Sequence, residues 1–186
     1  TQDVAVANLT SPTALAVSDF NHDGIPDVAV ASMGAITILL GTPSGSFNSF
    51  ATTGFSTSFV ALESADLNGD GFPDLAAARS GQNGIITLHM SDGFGGLLPG
   101  GQIVLIGKQL NALATVDLNH DTVADLCAAG SDIDTVGSLS TVMNLGGAVF
   151  ATPQHLNIGM MPSDLSATDL TGDGNPELFV TDLFLS

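Results

Sequence analysis

Side-chain oxygens recur in this chain at a spacing that suits a hard cation. Four nine-residue segments carry them: Asp19-Phe-Asn-His-Asp-Gly-Ile-Pro-Asp27, Asp66-Leu-Asn-Gly-Asp-Gly-Phe-Pro-Asp74, Asp117-Leu-Asn-His-Asp-Thr-Val-Ala-Asp125 and Asp169-Leu-Thr-Gly-Asp-Gly-Asn-Pro-Glu177. Oxygen side chains stand at positions 1, 3, 5 and 9 of every copy. Calcium takes six to eight oxygens at about 2.3–2.6 Å, and a short loop of alternating carboxylates can wrap them around one point. Glycine at position 6 allows the sharp turn this requires. A metal-free turn would leave three acids per loop packed together with no basic partner, so the spacing predicts cation binding.

The third and fourth copies depart from the pattern. Thr122 replaces glycine at position 6, where a β-branched residue is disfavoured if φ is positive. Thr171 and Glu177 stand at positions 3 and 9 of the fourth copy, where a hydroxyl is a poorer ligand and Glu reaches further than Asp. His22 and His120 occupy position 4, where the other copies have Gly69 and Gly172, which predicts solvent-facing side chains. An EF-hand would need a bidentate Glu at position 12 and flanking helices. Position 12 is Val30, Ala77, Ala128 and Val180, all in strand-like runs, so that reading fails.

The 186 residues carry 19 acidic and two basic side chains, Arg79 and Lys108, for a net charge of -17. Twelve of the acids lie inside the four loops. Four divalent ions would bring the charge to -9 (-17 + 8). With no basic footprint, nucleic acid and anionic membrane surfaces are excluded as partners. No run approaches the 18 apolar residues of a membrane span, which excludes membrane insertion. Cys127 is the single cysteine. It has no basic neighbours to activate it, and it is read as a buried apolar side chain. No Ser/His/Asp or Cys/His pairing follows from spacing, so the chain is read as non-enzymatic.

The loops begin 47, 51 and 52 residues apart, which makes the chain a repeat protein. Apolar anchors hold fixed offsets from each loop: Leu15, Leu62, Leu113 and Leu165 before it, Phe20, Leu67, Leu118 and Leu170 at position 2, and Val28, Leu75, Leu126 and Leu178 just after it. Short β-type runs flank the loops, and helical periodicity is not sustained anywhere. Four strands per repeat predict an all-β chain built of four-stranded β-propeller blades. The predicted repeats are residues 12–57, 58–108, 109–160 and 161–186 of a single domain, residues 1–186. Residues 1–11 would supply a complementing strand, so that the propeller is either partial or closed by its N-terminal strand.

The loop consensus Asp-x-Asn-x-Asp-Gly-x-Pro-Asp, followed by an Ala/Val-rich strand, resembles the FG-GAP (VCBS, integrin α-like) repeat. The Gly-rich turns containing Phe47, Phe94 and Phe150 agree with it. The resemblance implies a calcium-binding β-propeller, usually extracellular, secreted or at the cell surface, with up to four Ca2+. It implies ligands Asp19, Asn21, Asp23, the carbonyl of Ile25 and Asp27 in the first loop, and Asp66, Asn68, Asp70, the carbonyl of Phe72 and Asp74 in the second. In the third they are Asp117, Asn119, Asp121, the carbonyl of Val123 and Asp125. In the fourth they are Asp169, Thr171, Asp173, the carbonyl of Asn175 and Glu177. The expected role is a scaffold for adhesion or self-assembly into a ring or filament. The expected partner is a second copy or another extracellular protein. The alternatives are a lectin-like module for glycans, an integrin-like ligand-binding module, or an accessory propeller of a larger secreted protein. With no Trp or Tyr and ten Phe read mostly as core or turn plugs, sugar recognition has little aromatic surface to use.

Overall fold

The computed structural model describes residues 9, 11–55, 57–79, 81, 83–99, 101–106, 109–131 and 136–183. Of the complementing strand expected in residues 1–11, all but residues 9 and 11 lie outside them. Among the described residues there is no helix, and the chain forms antiparallel sheets. The first sheet is β1 (Ala14–Ser18), β2 (Asp27–Ser32), β3 (Ala35–Gly41) and β4 (Phe47–Gly54), in that order. The second is β5 (Phe59–Ala65), β6 (Asp74–Arg79), β7 (Ile85–His89) and β8 (Gln102–Leu105). The third is β9 (Gln109–Val116), β10 (Asp125–Ser131), β11 (Gly137–Val142) and β12 (Gln154–Asn157). A two-stranded sheet, β13 (Pro162–Thr168) and β14 (Glu177–Asp182), follows. Each acidic loop joins the first two strands of its sheet.

Against the expected four strands per repeat, the last strand of the third sheet is short, and residues 149–153 stay outside it. A Gly146-Gly147 turn and an isolated Asn144–Phe150 bridge precede it, and β12 begins after Pro153. Proline has no N–H to give a ladder, so the regular strand starts only beyond it.

The sheets pack in sequence, with β1 beside β5, β5 beside β9 and β9 beside β13. One parity rule governs what lies between them. Strand side chains alternate faces, so the residue just after a loop points back to the preceding sheet and its neighbour points on to the following one. Leu75 and Ala77 of β6 pack with Ala16, Ala29, Ile36 and Ile38 of the first sheet. Ala76 and Ala78 pack instead with Leu113, Leu126 and Ala128 of the third. Cys127 and Ala129 of β10 pack with Leu165. Strands β6 and β10 are therefore covered on both faces, which explains their unbroken apolar sequences. Alanine dominates them because two sheets approach closely there, and Cys127 fills an alanine position.

The same rule explains two anchors that the fixed offsets place in the core but the structure exposes. Leu62, Leu113 and Leu165 face the preceding sheet and are 4, 3 and 7% exposed. Leu15 faces the outer side of the first sheet and is 63% exposed, beside exposed Val17. Phe20 and Leu67, at loop position 2, face the following sheet and are buried. Leu170, on the last sheet, is 71% exposed. The reading of the phenylalanines as plugs holds for Phe20 and Phe59 but is corrected for Phe94 and Phe179, which are exposed.

Candidate functional site

The loop conformation follows from backbone requirements at two positions. Position 6 is left-handed in every copy, with φ of 83° at Gly24, 90° at Gly71, 71° at Thr122 and 91° at Gly174. Position 4 is left-handed too, with φ of 55° at His22, 82° at Gly69, 63° at His120 and 75° at Gly172. The exchange of His with Gly at position 4 carried that signal. A left-handed β-branched residue is strained by roughly 1–2 kcal/mol. Thr122→Gly is therefore expected to stabilise the protein by about 1 kcal/mol, less the added flexibility of glycine when unfolded. Urea denaturation checks it, and a loss of stability would show that Thr122 makes compensating contacts.

Within each loop the carboxylates are turned inward by backbone N–H groups. Asp19 accepts from Asp23 N at 3.1 Å and Gly24 N at 2.8 Å, and Asn21 Oδ1 accepts from the same Asp23 N at 3.1 Å. Asp66 accepts from Gly69 N and Gly71 N, at 2.7 and 2.8 Å. Asp117 accepts from Asp121 N and Thr122 N, at 3.2 and 2.8 Å. Asp169 accepts from Gly172 N and Gly174 N, at 2.7 and 2.8 Å. The position-5 carboxylates of Asp23, Asp70, Asp121 and Asp173 each accept from the N–H of position 7, borne by Ile25, Phe72, Val123 and Asn175. Every loop thus gathers oxygens from positions 1 and 5, and the first three add the Asn21, Asn68 or Asn119 amide. Desolvation is the largest single influence on the Asp117 carboxyl and pushes it up, but four backbone N–H groups together outweigh it and hold it below the ordinary range. The N–H and side-chain amide of Asn175 hold Asp173 low as well.

Position 9 divides the loops into two kinds. Asp27, Asp74 and Asp125 are fully buried. Each accepts one N–H from loop position 2 and one from the end of the third strand or just beyond it. Asp27 accepts from Phe20 N at 2.9 Å and Gly41 N at 2.8 Å. Asp74 accepts from Leu67 N at 3.1 Å and Ser91 N at 2.8 Å. Asp125 accepts from Leu118 N at 3.0 Å and Asn144 N at 2.7 Å. These three carboxylates clamp the loop to the sheet, whatever else they bind with their remaining lone pairs. Burial pushes the Asp74 carboxyl up to about 6 against those two N–H bonds, and raises Asp125 in the same way. Glu177 takes the Leu170 N–H at 2.8 Å and is only half-buried. Its extra methylene leaves it among the loop acids, and Asp169, Asp173 and Glu177 have oxygens within 4.8 Å of one another. That grouping occurs only in the fourth loop among the described residues.

This donor set fits calcium. It consists of oxygen ligands alone, it gathers negative charge, and no ion pair to a basic side chain neutralises it among the described residues. Each carboxylate oxygen engaged by one N–H keeps a further lone pair.

Contacts between loops were not legible from spacing. The exposed His22 ring lies 4.6 Å from that of Phe72 in the next loop. His120 Nε2 lies 3.0 Å from Asn175 Oδ1 in the loop after it. Asn144 is wholly buried and donates to Leu67 O at 2.8 Å and Ala124 O at 3.2 Å while accepting from Gly146 N. It ties the second loop to the third sheet. The only sequence signal for Asn144 is the Gly-Gly turn that follows it. Cys127 is buried and its thiol is pushed up to about 12, mainly by burial, which agrees with an inert core side chain.

Away from the loops, burial pushes the Glu63 carboxyl up to about 7, assisted by the charge of Asp164. Its folded value lies above its unfolded one, so ionising it opposes folding. That penalty is full above about pH 7 and fades as the pH falls toward 4.5. Glu63→Gln is expected to stabilise the protein at pH 8 by about 1 kcal/mol, after allowance for solvent screening, and to have little effect at pH 4.5. Denaturant midpoints at the two pH values check it, and equal effects at both would remove the titration argument.

An all-β chain of successive antiparallel sheets, each with an oxygen-rich loop between its first two strands, is a repeat protein. It belongs to the FG-GAP-like repeat family, which matches residues 19–77 and 66–128, more than half of the chain. No curated protein matches it. Repeats of this family are typically non-catalytic and are generally found in extracellular proteins. No helix among the described residues is long and apolar enough to cross a membrane.

Proposed function

We propose that this chain is a non-catalytic, calcium-binding scaffold of the extracellular space, its sheets acting as β-propeller blades and its end faces making protein contacts. The observation that carries the reading is the repeated placement of one oxygen-rich loop between the first two strands of every sheet. Calcium bound there supplies positive charge that offsets the clustered acids. The residues of positions 1, 3 and 5, with the position-7 carbonyl and position 9, would hold it. The clamp of Asp27, Asp74 and Asp125 passes that order to the sheet.

The self-associating version is favoured by the exposed ends. Leu15 and Val17 offer the face that Leu62 and Leu113 bury elsewhere, and Leu170 and Phe179 offer the opposite one. One molecule therefore bears both halves of an interface that recurs between its own sheets, and this suits head-to-tail contact. Light scattering in millimolar calcium is expected to show species larger than one chain, lost on adding EGTA. Leu15→Glu is expected to abolish them without lowering thermal stability, whereas Leu62→Ala costs about 2–5 kcal/mol. A monomer in calcium would sink the self-associating version. Were these residues part of a longer chain, a neighbouring repeat could cover the same faces. The longer chain would then stay monomeric where the 186 residues associate.

A further inference from the structure

We propose that a pocket between the first two sheets binds a small organic carboxylate that also carries a hydroxyl group. The pocket is about 170 Å³ and is lined by Phe55, Thr57, Phe59, Arg79, Thr87, His89, Gly101 and Ile103. At about 30 Å³ per water it holds roughly five or six waters, or a ligand of comparable bulk. Phe55 closes it from the first sheet, held by its N–H to Gly34 O at 2.6 Å. The remaining side chains come from β5, β6, β7 and β8 or the turns beside them.

Three features define the ligand. Arg79 is the one basic side chain among the described residues apart from histidine, and it has no ion pair or hydrogen bond to any of them. A guanidinium beside an apolar pocket selects a planar carboxylate, which it can engage through two parallel N–H bonds. His89 is 4% exposed, and its Nε2 lies 2.9 Å from Thr87 Oγ1. Thr87 Oγ1 in turn donates to Ala77 O at 3.4 Å. In the tautomer that this favours, Thr87 accepts from His89 Nε2–H and Nδ1 is an acceptor with no partner among the described residues. Burial lowers the His89 pKa and keeps the ring neutral. Gly101 holds the space before Nδ1 open, since a Cβ there would sit 3.4 Å from that nitrogen. A bare acceptor in the same pocket disfavours sulfate, which has no hydrogen to give, and calls for a donor such as a hydroxyl. The third feature is the wall formed by Phe55 and Phe59, whose rings stand edge to face at 5.2 Å, with Ile103 beside them. It takes the carbon body of the ligand.

The probes are lactate and mandelate, with propionate and phenylacetate as the same acids lacking the hydroxyl, and 1,2-propanediol lacking the charge. They are titrated into the whole 186-residue chain, followed by two-dimensional amide NMR, with and without EGTA. Lactate or mandelate is expected to shift residues around Arg79, His89 and Gly101 in both conditions. It should bind about tenfold more tightly than its hydroxyl-free counterpart, the value of one neutral hydrogen bond. Arg79→Gln is expected to keep the native amide spectrum and lose the response. The proposal is overturned if no probe shifts the pocket, if the diol binds as well as the acids, or if Arg79→Gln binds undiminished. Shifts confined to the acidic loops and abolished by EGTA would also overturn it, since they would report carboxylates on bound calcium.

Discussion

Removing calcium is expected to lower the melting temperature by about 10–20 °C. A site held at about one hundred times its dissociation constant contributes about 2.7 kcal/mol to stability, so two such sites contribute roughly 5 kcal/mol. Each kcal/mol is worth about 2–4 °C in a chain of this size. The electrostatics add to this, because twelve of the 19 acids are gathered in the loops. The first two loops combine Asn at position 3 with Gly at position 6 and are expected to bind most tightly. The third bears the strain of Thr122, and the fourth replaces the amide with Thr171. Calorimetry in millimolar calcium and then in excess EGTA measures the drop. Magnesium should restore little of it, since it demands near-octahedral geometry and sheds its waters reluctantly. Asp70→Ala deletes an exposed position-5 ligand and should remove one site's share of the stabilisation. An unchanged melting temperature in EGTA would mean that the loops are Asx turns held by their own N–H bonds.

The strands and loops were legible because they are local. Alternating apolar residues and fixed offsets from an acidic loop do not depend on what lies elsewhere in the chain. The anchors show where locality ends. Leu15 and Leu62 occupy the same offset, yet only Leu62 has a preceding sheet to lie against among the described residues. Position 9 shows a different limit. Asp27, Asp74 and Asp125 read as ligands equivalent to positions 1 and 5, but the second N–H that each accepts comes from Gly41, Ser91 or Asn144. Those three residues share no side-chain chemistry, because the bond uses only their backbone. Glu177 has no such second partner among the described residues and remains with the other acids of its loop. The pocket around Arg79 was beyond the sequence for a related reason. Its walls come from four separate segments, and His89 shows its bare nitrogen only once Thr87 is known to take the other one.

Replacing the buried position-9 carboxylate is expected to be the most damaging single change in a loop. In Asp74→Ala, the N–H groups of Leu67 and Ser91 lose their acceptor inside the protein. A buried donor left without a partner costs about 1–3 kcal/mol, so the pair costs roughly 2–6 kcal/mol. Relief of the buried charge offsets part of this, because the raised Asp74 value shows that its ionised form is already penalised. The net expectation is a loss of about 3 kcal/mol. Asp74→Asn keeps one acceptor oxygen but turns its amide hydrogens toward the other N–H, so it should fall between the two. Asp27→Ala and Asp125→Ala should behave like Asp74→Ala. Glu177→Ala should cost far less stability, since Glu177 holds one backbone N–H and lies half in solvent. Urea denaturation in EGTA separates this clamping role from metal binding, and repeating it in calcium shows what the ligand role adds. If Asp74→Ala is mild in EGTA and severe only in calcium, position 9 acts through the metal and the clamp contributes little. A severe loss in both conditions makes the carboxylate a structural tie first, on which the cation builds.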